Sequence, residues 1–350
     1  HDRGGGGQQF VYASSQQPAL QKGSGCAGDS VHDPLGATVG AIYRGDYHYV
    51  VWNDQFYGDP PIAGCSKDCG SPWGHSKGML AWDDTGNGVV IQVTTPSWPG
   101  SGSARHPRRT DGNTLDCIKD DDVKVSQHFF ALQLSHADIV RVLKALAAAS
   151  VVTDTDNPQI VANGGPADIR ALVGMLGHRS RGRQVLLARL SSGVELIAKP
   201  SALHVPPWQL VSAELGGTAL RAATWWAAPR IASTTGSEDI DCWDDSLGRP
   251  GAVQVATGGQ WDGTRFSLRG GPGADDNHAK IGVSLAAAAA ADPGYVIFGD
   301  LNQQGALSGR CERSQNGRGG LFFVLRSPAL AASVRALING ATAPALAARR

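Results

Sequence analysis

Apolar residues recur along this chain in short runs that are separated by polar turns. From Gly74 to Thr95, GHSKGMLAWDDTGNGVVIQVTT predicts a strand, a polar turn and a second strand. From His128, HFFALQLSHADIVRVLKALAAAS predicts a buried strand followed by a helix, because its later apolar residues recur at helical spacing. Ser135 and Asp138 stand where a capping box would begin that helix.

The same plan recurs later in the chain. NHAKIGVSLAAAAAADPGYVIFGDLNQ (277–303) predicts two strands joined by a longer turn, and LFFVLRSPALAASVRALINGA predicts a strand and then a helix. Ser327 is the expected N-cap of that helix, and Pro328 suits its first turn. Two copies of one plan indicate a duplicated chain. We therefore divide it at the polar stretch near residue 153 into halves 1–152 and 153–350.

The second half carries further predicted elements. They are a helix at 166–176, paired strands at 183–190 and 193–199, a helix near 208–215 and a strand at 219–226. Strands interleaved with helices and long connections indicate α/β layering. The predicted fold is α/β, with two homologous halves, each a mixed β-sheet flanked by helices, related by a pseudo-twofold axis.

A histidine and a lysine, two residues apart, open the first strand of each copy: His75 with Lys77, and His278 with Lys280. The chain has eight lysines against 23 arginines, so chance gives only about a quarter of one such pair. Residues i and i+2 of a strand point to the same face, so each histidine projects with its lysine. Halves that face each other would bring two imidazoles and two ammonium groups into one pocket. A lone His-x-Lys pair is usually just a strand edge, but two matched copies favour a functional site.

Such a pocket suits a phosphodiester. One histidine can attack phosphorus while the other protonates the leaving oxygen and later activates water. The lysines offset the negative charge of the phosphate oxygens. Because one imidazole must be neutral while the other is protonated, we expect separated titrations and a bell-shaped pH profile on the acidic side. Asp300 and Asn302, in GDLN at a strand end, are expected to orient the site or to bind phosphate.

Charge and hydropathy narrow the choice of partners. The formal net charge is +0, so a polyanion would have to be held by local positive potential. SARHPRRTDG (103–112) and GHRSRGRQ (177–184) are candidate contacts with a phosphate backbone. No apolar stretch approaches the roughly twenty residues that a membrane span needs, so we expect no membrane partner.

The cysteines indicate the cellular compartment in which we expect the protein to work. The six are Cys26, Cys65, Cys69, Cys117, Cys242 and Cys311. An even, scattered set is typical of disulfides in an exported protein. A zinc site formed by Cys65, Cys69 and His75 is the weaker alternative, because it lacks a second cysteine pair. No Asn-x-Ser/Thr acceptor occurs, which favours a secreted or periplasmic bacterial protein over a glycosylated animal one.

Taken together, the motifs resemble the deoxyribonuclease II family, acid endonucleases related in fold to phospholipase D. The matching stretches are VWNDQ (51–55), GHSKGMLAWD (74–83) with TTPSWP (94–99), DNHAKIGVS (276–284), and VIFGDLNQQG (296–305) with GRGGLF (317–322). The resemblance implies hydrolysis of double-stranded DNA at acidic pH through a phosphohistidine, without metal or cofactor, leaving 3′-phosphate ends. It implies two phospholipase D-like halves around one site.

Carried over residue by residue, the resemblance gives His75 as the nucleophile and His278 as the acid. The lysines Lys77 and Lys280 then stabilise charge, and Asp300 and Asn302 support them. The residues that we expect to bind substrate are Asp54 and Trp98, which lie in matching stretches, and Arg105, Arg108 and Arg109, which lie in the first basic stretch.

The chain departs from the family at two points and leaves two alternatives. Animal members carry a histidine in the strand after the first motif, whereas no histidine occurs here from Gly78 through Arg105. Gln303 stands where they often place an arginine. A phospholipase D-type phosphodiesterase is one alternative, but Lys280 lacks the aspartate that usually follows in those enzymes. An inactive DNA-binding homologue is the other, and two complete His-x-Lys pairs argue against it. Monomer and homodimer both remain open.

Overall fold

The structure is a computed structural model, and it describes residues 9–25, 27, 32–65, 67–96, 105–106, 125–271, 276–286 and 292–345. Within these residues the helices are α1 (Pro34–Arg44), α2 (His136–Ala148), α3 (Ala167–Val173), α4 (Pro207–Glu214) and α5 (Pro328–Leu337). The strands are β1 (Val11–Tyr12), β2 (Gln21–Lys22), β3 (His48–Asn53), β4 (Lys77–Trp82), β5 (Gly88–Val93), β6 (Phe129–Leu134), β7 (Val161–Ala162), β8 (Leu186–Arg189), β9 (Glu195–Lys199), β10 (Leu220–Ala223), β11 (Val253–Val255), β12 (Gly258–Trp261), β13 (Thr264–Ser267), β14 (Ile281–Ser284), β15 (Tyr295–Gly299) and β16 (Gly320–Arg326).

Two large sheets organise these elements. One has five strands in the order β6-β5-β4-β3-β7, and the other has seven in the order β11-β10-β14-β15-β16-β9-β8. The predicted α/β class is confirmed. The strands β4, β5 and β6 form an antiparallel meander that leads into α2, and β14, β15 and β16 form one that leads into α5. The sheets differ at their edges, because β7 runs antiparallel to β3 whereas β11 runs parallel to β10.

One hydrophobic core joins the two sheets. It contains Leu80 of β4, Leu143 of α2 and Phe323 of β16, all less than 1% exposed. Helix α2 follows the five-stranded sheet in sequence and packs against β9 and β16 of the other sheet. Burial of these apolar side chains therefore fixes the strand ends of both sheets relative to each other.

The local signals in the sequence have mixed outcomes. The capping box of α2 is confirmed, since Ser135 and Asp138 each accept the other's backbone N–H. Ser327 also caps α5, which begins at Pro328. The predicted helix at 166–176 is shorter, and helix α1 and the hairpin of β12 and β13 were not predicted. The histidines do not open their strands: β4 begins at Lys77 and β14 only at Ile281.

Candidate active site

The first half-site forms where β3 ends and β4 begins. Asn53 pairs with Lys77 in that ladder, so the residue after Asn53 lies beside the lysine. Lys77 Nζ donates to Asp54 Oδ1 over 2.7 Å, and both side chains are almost completely buried. Burial alone would raise the pKa of Asp54, but the charges of Lys77, His75 and Arg318 outweigh it and hold that pKa well below its usual value. Asp54 is therefore ionised and neutralises Lys77.

His75 is held by the other sheet. Its backbone N–H donates to the carbonyl of Gly319 over 2.8 Å, and its Nδ1 lies 3.0 Å from the carbonyl oxygen of Asp300. A carbonyl can only accept, so Nδ1 carries the proton and the lone pair of Nε2 stays free. Burial lowers the pKa of His75 well below its usual value, and the positive charge of Lys77 lowers it further, while Asp54 acts in the opposite direction. A neutral imidazole with a free Nε2 is a nucleophile.

The second half-site has a different environment. Burial lowers the pKa of His278 to about 2, with further lowering by Lys280 and Lys77. The His278 ring lies against Trp225, with 4.0 Å between the ring centroids. Lys280 is 2% exposed, and its Nζ forms no hydrogen bond or ion pair with the described residues. Burial lowers the pKa of Lys280 well below its usual value, and the charge of Lys77 adds to this. The backbone N–H of Gly299 donates to the carbonyl of Lys280 over 2.9 Å, one residue before the Asp300 carbonyl that holds His75, so the two pairs lie close enough for their charges to interact.

Asp300 and Asn302 support the site differently from what the sequence predicts. The Asp300 carboxylate is buried and accepts hydrogen bonds from Gln92 Nε2 (2.9 Å) and the backbone of Leu321 (2.7 Å), so it orients His75 only through its carbonyl. Burial raises the pKa of Asp300 to about 7, although the hydrogen bonds that it accepts lower it. Asn302 Nδ2 donates to Gln304 over 3.1 Å. One N–H of the amide that we expected to bind phosphate is therefore engaged, whereas its Oδ1 forms no hydrogen bond with the described residues.

Sequence reasoning missed Arg318, which is central to the site. Its Nη2 donates to Asp54 Oδ2 over 2.9 Å and to the carbonyl of Gly74 over 2.8 Å, and its Nε donates to the carbonyl of Trp73 over 3.0 Å. The residue stands in the GRGGLF stretch, but no spacing in the sequence connects it to Asp54. Lys77 and Arg318 occupy both carboxylate oxygens, so Asp54 is a buried counter-ion. This geometry argues against the predicted contact with DNA.

Lys199 holds the segment that carries Arg318. It lies at the end of β9 with no exposed surface, and its Nζ donates to the carbonyls of Asn316 (2.7 Å) and Arg318 (2.9 Å). Burial lowers the pKa of Lys199 to about 7. A buried ammonium bonded to backbone carbonyls fixes the course of the chain there, so the seven-stranded sheet sets where Arg318 reaches into the first half-site.

The remaining candidates are only partly described. Arg105 is exposed, whereas Trp98, Arg108 and Arg109 lie outside the described residues, as does most of the first basic stretch.

Cys65 and Cys69 form a disulfide, so the zinc alternative, which needs their thiolates, is wrong. A second disulfide joins Cys242 and Cys311. Across the described residues, no helix combines the length and apolar character of a membrane span.

Replacing Arg318 with lysine should lower kcat about a hundredfold with little change in KM, because lysine cannot form the fork that holds Asp54 and the carbonyls beside His75. The measurement is plasmid nicking by steady-state kinetics. Arg310→Lys is the matched control, since the Arg310 side chain is 83% exposed and, among the described residues, pairs with Glu312. A loss of folded protein with unchanged kcat per folded molecule would show that Arg318 serves stability alone.

Two histidines and two lysines close together suit a phosphodiester hydrolase. Comparison with known families agrees with this class of enzyme and shows that the chain is a deoxyribonuclease. The family model that matches is Deoxyribonuclease II, over residues 1–205. This is more than half of the 350 residues, and the chain belongs to the deoxyribonuclease II family. The matched part contains His75 and Lys77 and ends before His278. A search of curated proteins gave no significant match.

Proposed function

We propose that this deoxyribonuclease is a metal-independent acid endonuclease that cleaves double-stranded DNA through a phosphohistidine and leaves 3′-phosphate ends. The observation that supports it best is the asymmetry of the two half-sites. His75 is neutral with a free Nε2, and of the two lysines of the site, Lys77 pairs with Asp54 whereas Lys280 forms no ion pair with a described residue. The nucleophile and the uncompensated charge thus come from different half-sites.

In the first step, His75 Nε2 attacks phosphorus and a P–N bond forms. The bond from phosphorus to the 5′ oxygen breaks, and His278 donates a proton to that oxygen. In the second step, water attacks phosphorus while His278 takes a proton from it. The P–N bond then breaks, its electron pair returns to His75, and the phosphate stays on the 3′ oxygen.

The lysines stabilise the negative charge that develops during phosphoryl transfer. Phosphoryl transfer places negative charge on the non-bridging oxygens, and a buried ammonium stabilises it strongly. Both oxygens of Asp54 are already bound by Lys77 and Arg318, so Lys280 supplies most of this stabilisation. Burial lowers the pKa of Lys280, and acidic pH and the negative charge of bound DNA favour its charged form. Burial, together with the charges of Lys280 and Lys77, lowers the pKa of His278 and keeps it from holding its proton at neutral pH. Its protonated fraction rises as pH falls, and the negative charge of bound DNA raises it further, which favours acidic conditions.

We include the two-half architecture and the location in this proposal. The halves, 1–152 and 153–350, would be phospholipase D-like and related by a pseudo-twofold axis. The matching antiparallel order of β3-β4-β5-β6 and β10-β14-β15-β16 supports this. The two disulfides of the described residues are compatible with a protein that is secreted or periplasmic in a bacterium.

The test is cleavage of supercoiled plasmid in EDTA across the acidic and neutral range, followed by analysis of the end groups. We expect cleavage that is fastest at acidic pH, with 3′-phosphate and 5′-hydroxyl ends. A parallel assay with phosphatidylcholine in EDTA tests the phospholipase D alternative. A strict requirement for metal, or 5′-phosphate ends, would overturn the mechanism, and cleavage of lipid but not of plasmid would overturn the substrate.

A further inference from the structure

A tryptophan–arginine pair lies beside His75. Trp73 stands two residues before this histidine, and the guanidinium of Arg179 lies over its ring, 5.9 Å from the centroid. The basic loop that carries Arg179 is anchored by Ser150: its Oγ accepts the N–H of Ser180, and its carbonyl accepts the N–H of Gly74, each over 2.9 Å. One serine thus holds Arg179 next to the first half-site.

A second tryptophan–arginine pair, Trp226 with Arg230, follows directly in sequence after the tryptophan that contacts His278. Trp225 contacts the His278 ring, and the guanidinium of Arg230 lies over the neighbouring Trp226, 5.2 Å from the centroid. The segment is tied to the chain that follows β15, because Gln304 Nε2 donates to the carbonyl of Ala227 over 2.7 Å. Arg230 is thereby held on the side of the second half-site.

The charge of both arginines is uncompensated. Arg179 and Arg230 are exposed, and neither forms an ion pair with another described residue. Arg183, in the same loop as Arg179, does pair with Asp244 over 3.1 Å. In a chain of zero formal net charge, two free guanidinium groups that flank the paired histidines form a local positive surface, which is what binding of a polyanion requires.

We propose that Arg179 and Arg230 bind DNA phosphates on opposite sides of the scissile phosphate. This assignment rests on the proposed function, which places the scissile phosphate between His75 and His278. A residue fixed beside one histidine then faces the strand on one side of the cut, and a residue fixed beside the other faces the opposite side. The tryptophan faces hold each guanidinium in place, which reduces the entropy lost when it binds phosphate.

The test measures binding separately from cleavage. Full-length protein carrying His75→Asn is titrated into a short fluorescein-labelled duplex at several KCl concentrations, and anisotropy gives the affinity. We expect Arg179→Gln and Arg230→Gln each to weaken binding about tenfold at low salt. Each should also lower the slope of log affinity against log salt by about one, and the double variant by about two.

Arg44→Gln is the matched control. Arg44 is also exposed, and it ends α1 near the His48 end of β3, which is opposite to the Asn53 end where the site lies. In the Arg44→Gln variant, the slope of log affinity against log salt should stay as it is in the His75→Asn protein. Slopes that also stay unchanged in the Arg179 and Arg230 variants would overturn the assignment. If the slopes fall as expected but wild-type protein does not cut plasmid, the DNA surface stands and the proposed function fails.

Discussion

Replacing His75 with asparagine should abolish the covalent step, whereas replacing His278 with asparagine should let a covalent DNA–protein adduct accumulate. In the proposed mechanism His75 provides the attacking nitrogen, so we expect its loss to lower the rate about ten-thousandfold or more. In the proposed mechanism His278 protonates the leaving oxygen in the first step and activates water in the second. Its loss should lower cleavage of ordinary DNA about a hundredfold to ten-thousandfold.

The measurement uses a duplex in which sulfur replaces the 5′-bridging oxygen at one position. A thiolate leaves without protonation, so the first step no longer needs His278. In the His278→Asn protein the adduct then forms but hydrolyses slowly, because no base activates water. A label on the 5′ side of the cut should therefore stay with the protein on a denaturing gel at neutral pH.

The control for this experiment is His136→Asn. His136, at the start of α2, pairs with Asp168 of α3 and has 39% of its side chain exposed. The His136→Asn variant should therefore cleave DNA as the wild type does. An adduct in the His75 variant but not in the His278 variant would reverse the two roles. Normal cleavage by both variants would exclude a phosphohistidine at either residue.

The sequence predicts most of the elements that carry the site, because those elements depend on local signals. Ser135 with Asp138 and Ser327 with Pro328 begin their helices as predicted, since capping needs only residues a few positions apart. The repetition of the His-x-Lys pair also lies in the sequence itself. These signals locate the two lysines and two histidines, but they do not give the partners of each.

The partners depend on pairings that local patterns do not encode. Asp54 meets Lys77 only because β3 and β4 pair in the register that sets Asn53 opposite Lys77. Arg318 reaches Asp54 across 264 positions of sequence, through the packing of one sheet on the other. The different roles that we propose for Lys77 and Lys280 rest on these contacts, although the two His-x-Lys pairs look equivalent in sequence.

The difference between the contacts of Lys77 and those of Lys280 leads to the second prediction with a large effect. Replacing Lys280 with methionine should lower kcat about a hundredfold to a thousandfold, since in the proposed mechanism it removes the ammonium charge that stabilises the phosphoryl oxygens. Lys280→Arg should recover part of the rate, because it restores the charge with altered geometry. Lys144→Met, an exposed position on α2, should leave kcat unchanged.

The same substitution should move the pH profile in a direction that a merely structural defect would not produce. The charge of Lys280 lowers the pKa of His278, so removing that charge raises this pKa. His278 must be protonated to act as the acid, and the fall of kcat/KM on the alkaline side should therefore shift to higher pH as the rate drops. The profile is measured with labelled duplex in EDTA. An alkaline limb that stays in place or moves to lower pH would show that Lys280 does not act on the proton carried by His278.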